Sequence, residues 1–167
     1  MQLHILQGLV ELELGARVLV VGSSDEYGLV AAGELPITED CPLRPVNPYA
    51  VSKVAQDYLG YQYHLGRGLD VVRVRPFNHI GPRQGTGFVV PDLASQIARI
   101  EAGLAPPVLR VGNLLARRDF TDVRDVARAY RLALERGRPG CVYNIGSQRS
   151  WAIAEVLDAL LGLARVP

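Results

Sequence analysis

The stretch Asn47-Pro48-Tyr49-Ala50-Val51-Ser52-Lys53 sets a phenol and an ammonium four residues apart. On an α-helix residues i and i+4 lie one above the other on a single face, so Tyr49 and Lys53 can converge on one bound molecule. Lys53 is the only lysine in a chain that otherwise takes its positive charge from arginine. A compact ammonium does what a planar guanidinium cannot, so the exception invites a chemical explanation. A phenol is a poor base near neutral pH, and an ammonium in a cleft of low dielectric favours its ionised form. The same ammonium can hydrogen-bond the ribose hydroxyls of a nicotinamide nucleotide. A serine hydroxyl, Ser23 or Ser24, would hold a substrate oxygen against the tyrosine. Such a set is a proton relay suited to interconverting an alcohol and a ketone beside a hydride donor. The spacing alone is a weak sign, because tyrosine and lysine often share a helix face as an ordinary surface pair.

The elements that must position these groups follow from periodicity and punctuation. Apolar residues recur with helical spacing from Leu3 to Leu14, and Gly15 reads as the stop. Arg17 to Gly22 is a short apolar run of the kind found in a parallel strand buried on both faces. The polar group Ser23 to Gly28 follows at its carboxyl end, where open α/β sheets bind ligands. A loop from 29 to 48 carries four prolines. A helix is predicted from Pro48, suited to a first helical turn, to about Leu65. Val71–Pro76 is the next strand. A helix from about Val90 to Ala102, a short strand near Val108 to Val111 and the polar segment Arg117 to Asp122 come after it. Asp122 reads as the cap of a helix to Glu135 or Arg136. Val142 to Ile145 is a last strand, and Ser150 caps a final helix to about Leu163. Strands alternating with helices predict an α/β fold with a largely parallel sheet and helices on both faces.

Bulk properties narrow the function. The 167 residues suffice for a real core, and the 49% hydrophobic and 21% charged content is that of a globular chain. A net charge of +1 with no arginine-rich run argues against a nucleic-acid partner. No apolar run approaches a membrane span, and the first residues do not read as a signal peptide. Cys41 and Cys141, far apart, fit free thiols in a reducing cytoplasm. His4, His64 and His79 are scattered, without metal-ligand spacing.

Taken with Gly22-Ser23-Ser24-Asp25-Glu26-Tyr27-Gly28 and Arg75-Pro-Phe-Asn-His-Ile-Gly-Pro82, the dyad resembles the extended short-chain dehydrogenase/reductase (NAD-dependent epimerase/dehydratase) family, which acts on nucleotide sugars. Gly87-Phe-Val-Val-Pro-Asp92, Val111-Gly-Asn-Leu114 and Arg118-Asp-Phe-Thr-Asp-Val-Arg-Asp125 place the resemblance in the branch that uses GDP-sugars. The resemblance implies a partial NAD(P)-binding Rossmann-like domain over residues 1–82. Residues 83–167 would be mostly a small nucleotide-sugar-binding portion, interleaved with the last Rossmann elements. It implies NAD(P)H-dependent reduction of GDP-4-keto-6-deoxy-D-mannose, with Ser23 polarising the substrate, Tyr49 as acid/base and Lys53 as anchor and activator. Tyr49, Lys53, Pro76 and Phe77 would face NAD or NADP, and Ser24, Asp25, Asn78, Val111 and Arg118 the GDP-sugar. Arg118 suits a pyrophosphate clamp, its plain alternative being a pair with Asp119 or Asp122. Self-association through the edge strand at Val18–Val21 or through the helices Leu3–Leu14 and Pro48–Leu65, as a homodimer, is a further expectation. Arg83 and Gln148 stand where glycine is frequent in the family, and Leu115 where an acid is common.

The glycine-rich loop that cradles a dinucleotide pyrophosphate is not in this sequence. The resemblance therefore implies that about half of the nucleotide-binding domain lies outside it. Weak dinucleotide binding and weak or absent activity are the expectation, as is an apolar strand edge at Val18–Val21. The alternatives are a GDP-mannose 4,6-dehydratase, for which Asp25 and Glu26 could supply the extra carboxylates, a nucleotide-sugar epimerase, and a non-catalytic binding or assembly module.

Overall fold

The computed structural model describes residues 1–165. They form two compact units: Met1–Phe77 with Arg124–Gly146, and Asn78–Val123 with the chain from Ser147 onward.

The first unit is a parallel sheet in the order β1 (Val18–Val21), β2 (Val71–Pro76), β5 (Val142–Ile145). On one face lie α1 (Gln2–Glu11) and α2 (Pro48–Arg67), whose Leu6, Leu9, Leu59 and Tyr63 meet Val20 and Val71. On the other, Tyr130 and Ala133 of α4 (Val123–Arg136) meet Val72 and Val74. Val71, Val72 and Val74 are all at most 1% exposed, and each such side chain contributes roughly 2 kcal/mol. Gly60 lets α2 lie close to the sheet, since a Cβ there would crowd Val20. The α/β architecture with helices on both faces is as expected. β1 is an edge, with β2 its one partner among the described residues.

The start of α2 follows directly from its residues. Asn47 Oδ1 accepts from the Ala50 N–H at 2.8 Å, and Pro48 takes the first turn. The helix runs slightly further than predicted, to Arg67, and ends on Gly68 in the left-handed conformation. The first helix is shorter than predicted. Glu13, at φ 50°, takes the left-handed turn, and the chain leaves the helix at Leu12, ahead of Gly15.

The second unit holds a small sheet in the order β3 (Asn78–Ile80), β4 (Arg117–Asp122), β6 (Ser150–Ala152), with α3 (Val89–Glu101) and α5 (Ile153–Leu161). Three predictions are corrected here. Arg117–Asp122 is a strand, parallel to β3 and antiparallel to β6. Val108–Val111 is not a strand: the Gln96 side chain takes the place of a neighbouring strand, accepting from the Arg110 N–H at 2.8 Å and donating to its carbonyl at 3.0 Å. Ser150 lies in β6 and the last helix begins at Ile153, where the N–H groups of Ile153 and Ala154 donate to the carbonyls of Ala116 and Leu114.

Candidate functional site

In the first unit the groups for a proton relay gather at the carboxyl end of β1. The Lys53 Nζ lies 5.8 Å from the centroid of the Tyr49 ring, as the one-turn spacing requires. It donates to the Val21 carbonyl at 3.1 Å and to Gln56 Oε1 at 3.3 Å. Lys53 is half-buried, whereas Tyr49 is 52% exposed. Ser23 follows Val21 by two residues, is nearly buried and caps the short 3-10 turn Ser24–Tyr27. Its Oγ accepts from the Asp25 N–H at 3.2 Å, so the single hydroxyl proton remains to be donated. Ser24 is half-buried and Asp25 exposed. At the end of β2, Pro76 is buried and Phe77 half-buried.

Behind these groups is a buried ionic cluster that the sequence reading did not identify as such. β2 turns Val71 to the α2 face, and by strand alternation Arg73 and Arg75 follow it. Asp57 on α2 is wholly buried and receives Arg73 Nη1 at 2.8 Å, Arg75 Nε at 2.8 Å and Arg75 Nη2 at 2.6 Å. Arg75 Nη1 donates to the Tyr27 hydroxyl at 3.0 Å, which donates to Asn144 Oδ1 at 2.7 Å. Glu26 is also wholly buried: its Oε1 accepts from the Ser23 N–H at 2.8 Å, and its Oε2 lies 3.2 Å from Arg75 Nε. Burial pushes the Glu26 carboxyl up from 4.5 to about 7, with Asp57 adding to the rise and the Ser23 N–H and Arg75 opposing it. Burial likewise raises the Tyr27 phenol. For Arg75 burial works downward, and the bond to Tyr27 and the charge of Asp57 outweigh it. One signal was present in the sequence: two arginines alternating with valines in a buried strand require carboxylates on the facing helix.

The second unit carries a cavity of about 370 Å³ lined by Asn78, Gln84, Phe88, Asn113, Arg118 and others. Asn78 and Arg118 are therefore brought together, whereas Val111 is exposed and does not line the cavity. Arg118 Nη1 donates to the Arg117 carbonyl at 2.7 Å. The Asp119 carboxylate is engaged by the N–H groups of Ser147 and Gln148, each at 2.9 Å, and by the Ser147 hydroxyl at 2.8 Å. A guanidinium on a wall with Asn78 and Asn113 amides suits an anion such as a diphosphate. His79, Gln84 and Phe88, also on this wall, are functional candidates that individual motif positions did not single out.

The Lys53 ammonium and Phe77 occupy the carboxyl ends of neighbouring parallel strands, the ligand side of such sheets, and suit the nicotinamide–ribose end of a dinucleotide.

The family described as GDP-mannose 4,6 dehydratase matches residues 2–164. The chain is 43% identical over 164 residues to the GDP-6-deoxy-D-mannose reductase of Pseudomonas aeruginosa, covering 98% of this chain and 54% of that protein. It is 36% identical over 151 residues to the dTDP-glucose 4,6-dehydratase of an Actinoplanes species, covering 90% and 45%. The solved structure of RMD from Pseudomonas aeruginosa complexed with NADPH superposes with a TM-score of 0.95 at 42% identity, covering 99% of this chain and 56% of that one. The chain thus spans about half the length of the curated relatives it matches.

Proposed function

The chain belongs to the GDP-mannose 4,6 dehydratase family, and from that premise we propose that it serves a nucleotide-sugar oxidoreductase that reduces GDP-4-keto-6-deoxy-D-mannose with NAD(P)H. The observation that carries the reading is the convergence of Lys53 with the Tyr49 ring at the strand end that bears Ser23. A nicotinamide cofactor supplies a hydride to the keto carbon when bound. Tyr49 gives its phenolic proton to the ketone oxygen, leaving a phenolate that the Lys53 ammonium stabilises. Ser23 keeps its own proton and donates a hydrogen bond to the same oxygen, holding it in place. Lys53 also binds ribose hydroxyls, and Phe77 borders the nicotinamide end.

The cavity of the second unit takes the nucleotide diphosphate, with Arg118 on the phosphates and Asn78 beside them. Weak dinucleotide affinity and slow turnover by this chain are part of the reading, because the glycine-rich pyrophosphate loop is not in its sequence. Self-pairing through α1 and α2 is supported by Leu3, Ile5, Val51 and Tyr58, all exposed on those helices. A cytoplasmic setting accords with the free cysteines Cys41 and Cys141. Among the described residues no helix is long and apolar enough to cross a membrane. The dehydratase reading is weakened by Glu26, which is enclosed and committed to Ser23 and Arg75, leaving Asp25 as the exposed carboxylate of the pair.

Titration with GDP, followed by calorimetry and amide NMR, tests the nucleotide part. Binding should perturb residues 78–118, and Arg118→Ala should weaken it by about 10- to 100-fold, the worth of a charge-assisted bond. No perturbation at millimolar GDP would overturn the reading.

A further inference from the structure

Among the buried groups the proton relay leaves unused, Glu26 touches it most directly. Its Oε1 accepts from the Ser23 N–H at 2.8 Å, and its own N–H donates to the Ser23 carbonyl at 3.1 Å. The Ser23 backbone is therefore held at both ends by one residue. The carboxyl fits against Gly22, where any side chain would overlap it.

The other oxygen is differently placed. Glu26 Oε2 is fully buried and has no hydrogen-bond partner. Arg75 is near, but its Nε and Nη2 are directed to Asp57 and its Nη1 to Tyr27 and the Glu39 carbonyl. The charged and titratable groups around Glu26 are Asp57 from α2, Arg75 from β2, and Tyr27 of its own turn. Arg73 stands beyond Asp57, Glu39 beyond Tyr27 and Arg75, and Lys53 at Val21. Arg44 of the following loop meets Glu26 through the backbone, its N–H donating to the Glu26 carbonyl at 2.9 Å. Ionised, Oε2 lies 3.2 Å from Arg75 Nε but accepts no hydrogen bond, and it shares that guanidinium with a second carboxylate, Asp57. Protonated, it becomes a donor toward Asp57 and the conflict is removed.

Resting on the reading of Ser23 as the hydroxyl that holds the substrate oxygen, we propose that Glu26 is a positioning residue for Ser23, a buried carboxyl that sets the serine turn in one of two states by gaining or losing a proton on Oε2. The geometry agrees with the upward displacement of this carboxyl to about 7, which puts both states within the neutral range. Below that pH the carboxyl is tied to Asp57 and offers Ser23 a neutral acceptor. Above it the Ser23 N–H faces a carboxylate, a stronger acceptor that draws the turn toward Glu26 and away from Asp57.

The test uses the full chain labelled with ¹⁵N and with ¹³C at glutamate carboxyls. The Ser23 amide and the Glu26 carboxyl carbon should titrate together between pH 5 and 9, with one midpoint near 7. This arm needs no variant. In Glu26→Gln the Ser23 amide should stay flat over the same range. A Ser23 amide that does not move in the wild type, or moves with a midpoint different from that of the Glu26 carbon, overturns the proposal. Hydride transfer to the 4-keto sugar should show an inflection at the same pH, missing in Glu26→Gln. Absence of any transfer by the wild type counts against the functional reading, while the amide titration still decides the role of Glu26.

Discussion

Replacing Asp57 by alanine should be among the most damaging single changes in the first unit. The carboxylate is wholly buried and receives three charged hydrogen bonds, from Arg73 at 2.8 Å and from Arg75 at 2.8 and 2.6 Å. The two guanidinium side chains are only 9% and 4% exposed. They cannot recover water when their partner is removed, and Glu26 is one carboxyl for two cations. Breaking a buried pair from one side costs about 3–5 kcal/mol, mostly the penalty of the charge left behind. A domain of this kind is stable by about 5–15 kcal/mol, so roughly a fifth or more of the total is lost. Urea unfolding followed by circular dichroism should show the midpoint falling by about 2 M, for a slope near 2 kcal/mol/M. Asp57→Asn, which keeps an acceptor but not the charge, should lie between alanine and wild type. A loss below about 1 kcal/mol for Asp57→Ala would show instead that the arginines find water or another anion.

Two further outcomes follow from the same structure. Between pH 4.5 and about 7 the folded chain holds a proton on Glu26 that the unfolded chain has released, so stability should fall as pH rises through that window and stay low above it. The separation, at about 1.36 kcal/mol per unit, amounts to roughly 3 kcal/mol, and Glu26→Gln should flatten the slope in urea titrations at several pH values; a stability that rises from pH 5 to 8 in the wild type alone would contradict the assignment. Arg83 and Gln148 sit at φ 71° and 62°, the left-handed region that side chains disfavour. Arg83→Gly and Gln148→Gly should each raise stability by up to about 1 kcal/mol, some 2–4 °C in Tm by calorimetry, and a fall in Tm for both would show that their side chains hold the turns.

The sequence made the helix of Tyr49 and Lys53 plain because its signals are local. Asn47 and Pro48 start it, Gly68 ends it, and the one-turn spacing of Tyr49 and Lys53 needs no tertiary information. The parallel strands at Val18 and Val71 were equally legible, since apolar runs of that length require burial. Arg83 and Gln148, where the resemblance leads one to expect glycine, both take left-handed backbone angles that glycine adopts freely.

What stayed hidden depends on distant partners. Arg117–Asp122 has no apolar alternation, yet it is a strand because β3 and β6 pair with it on its two sides. Val108–Val111 has the composition of a strand but meets the Gln96 side chain in place of one. Glu26 reads as part of a polar turn, and its burial is decided by Gly22, Asp57 and Arg75, residues 4, 31 and 49 positions away. Local pattern flags the buried arginines of β2 but not the carboxyl of this turn.

On the proposed function Tyr49, with Lys53 and Ser23, passes a proton to a nucleotide-bound ketone as a hydride arrives. The most direct measurement incubates the chain with NADPH carrying deuterium at the transferred nicotinamide position, together with GDP-4-keto-6-deoxy-D-mannose, and follows label in the sugar by mass spectrometry, which registers even slow turnover. Deuterium should enter the sugar at C4 in the wild type, and Tyr49→Phe should slow its entry by about 100-fold or more. No label with the wild type, or equal label with Tyr49→Phe, would contradict the account.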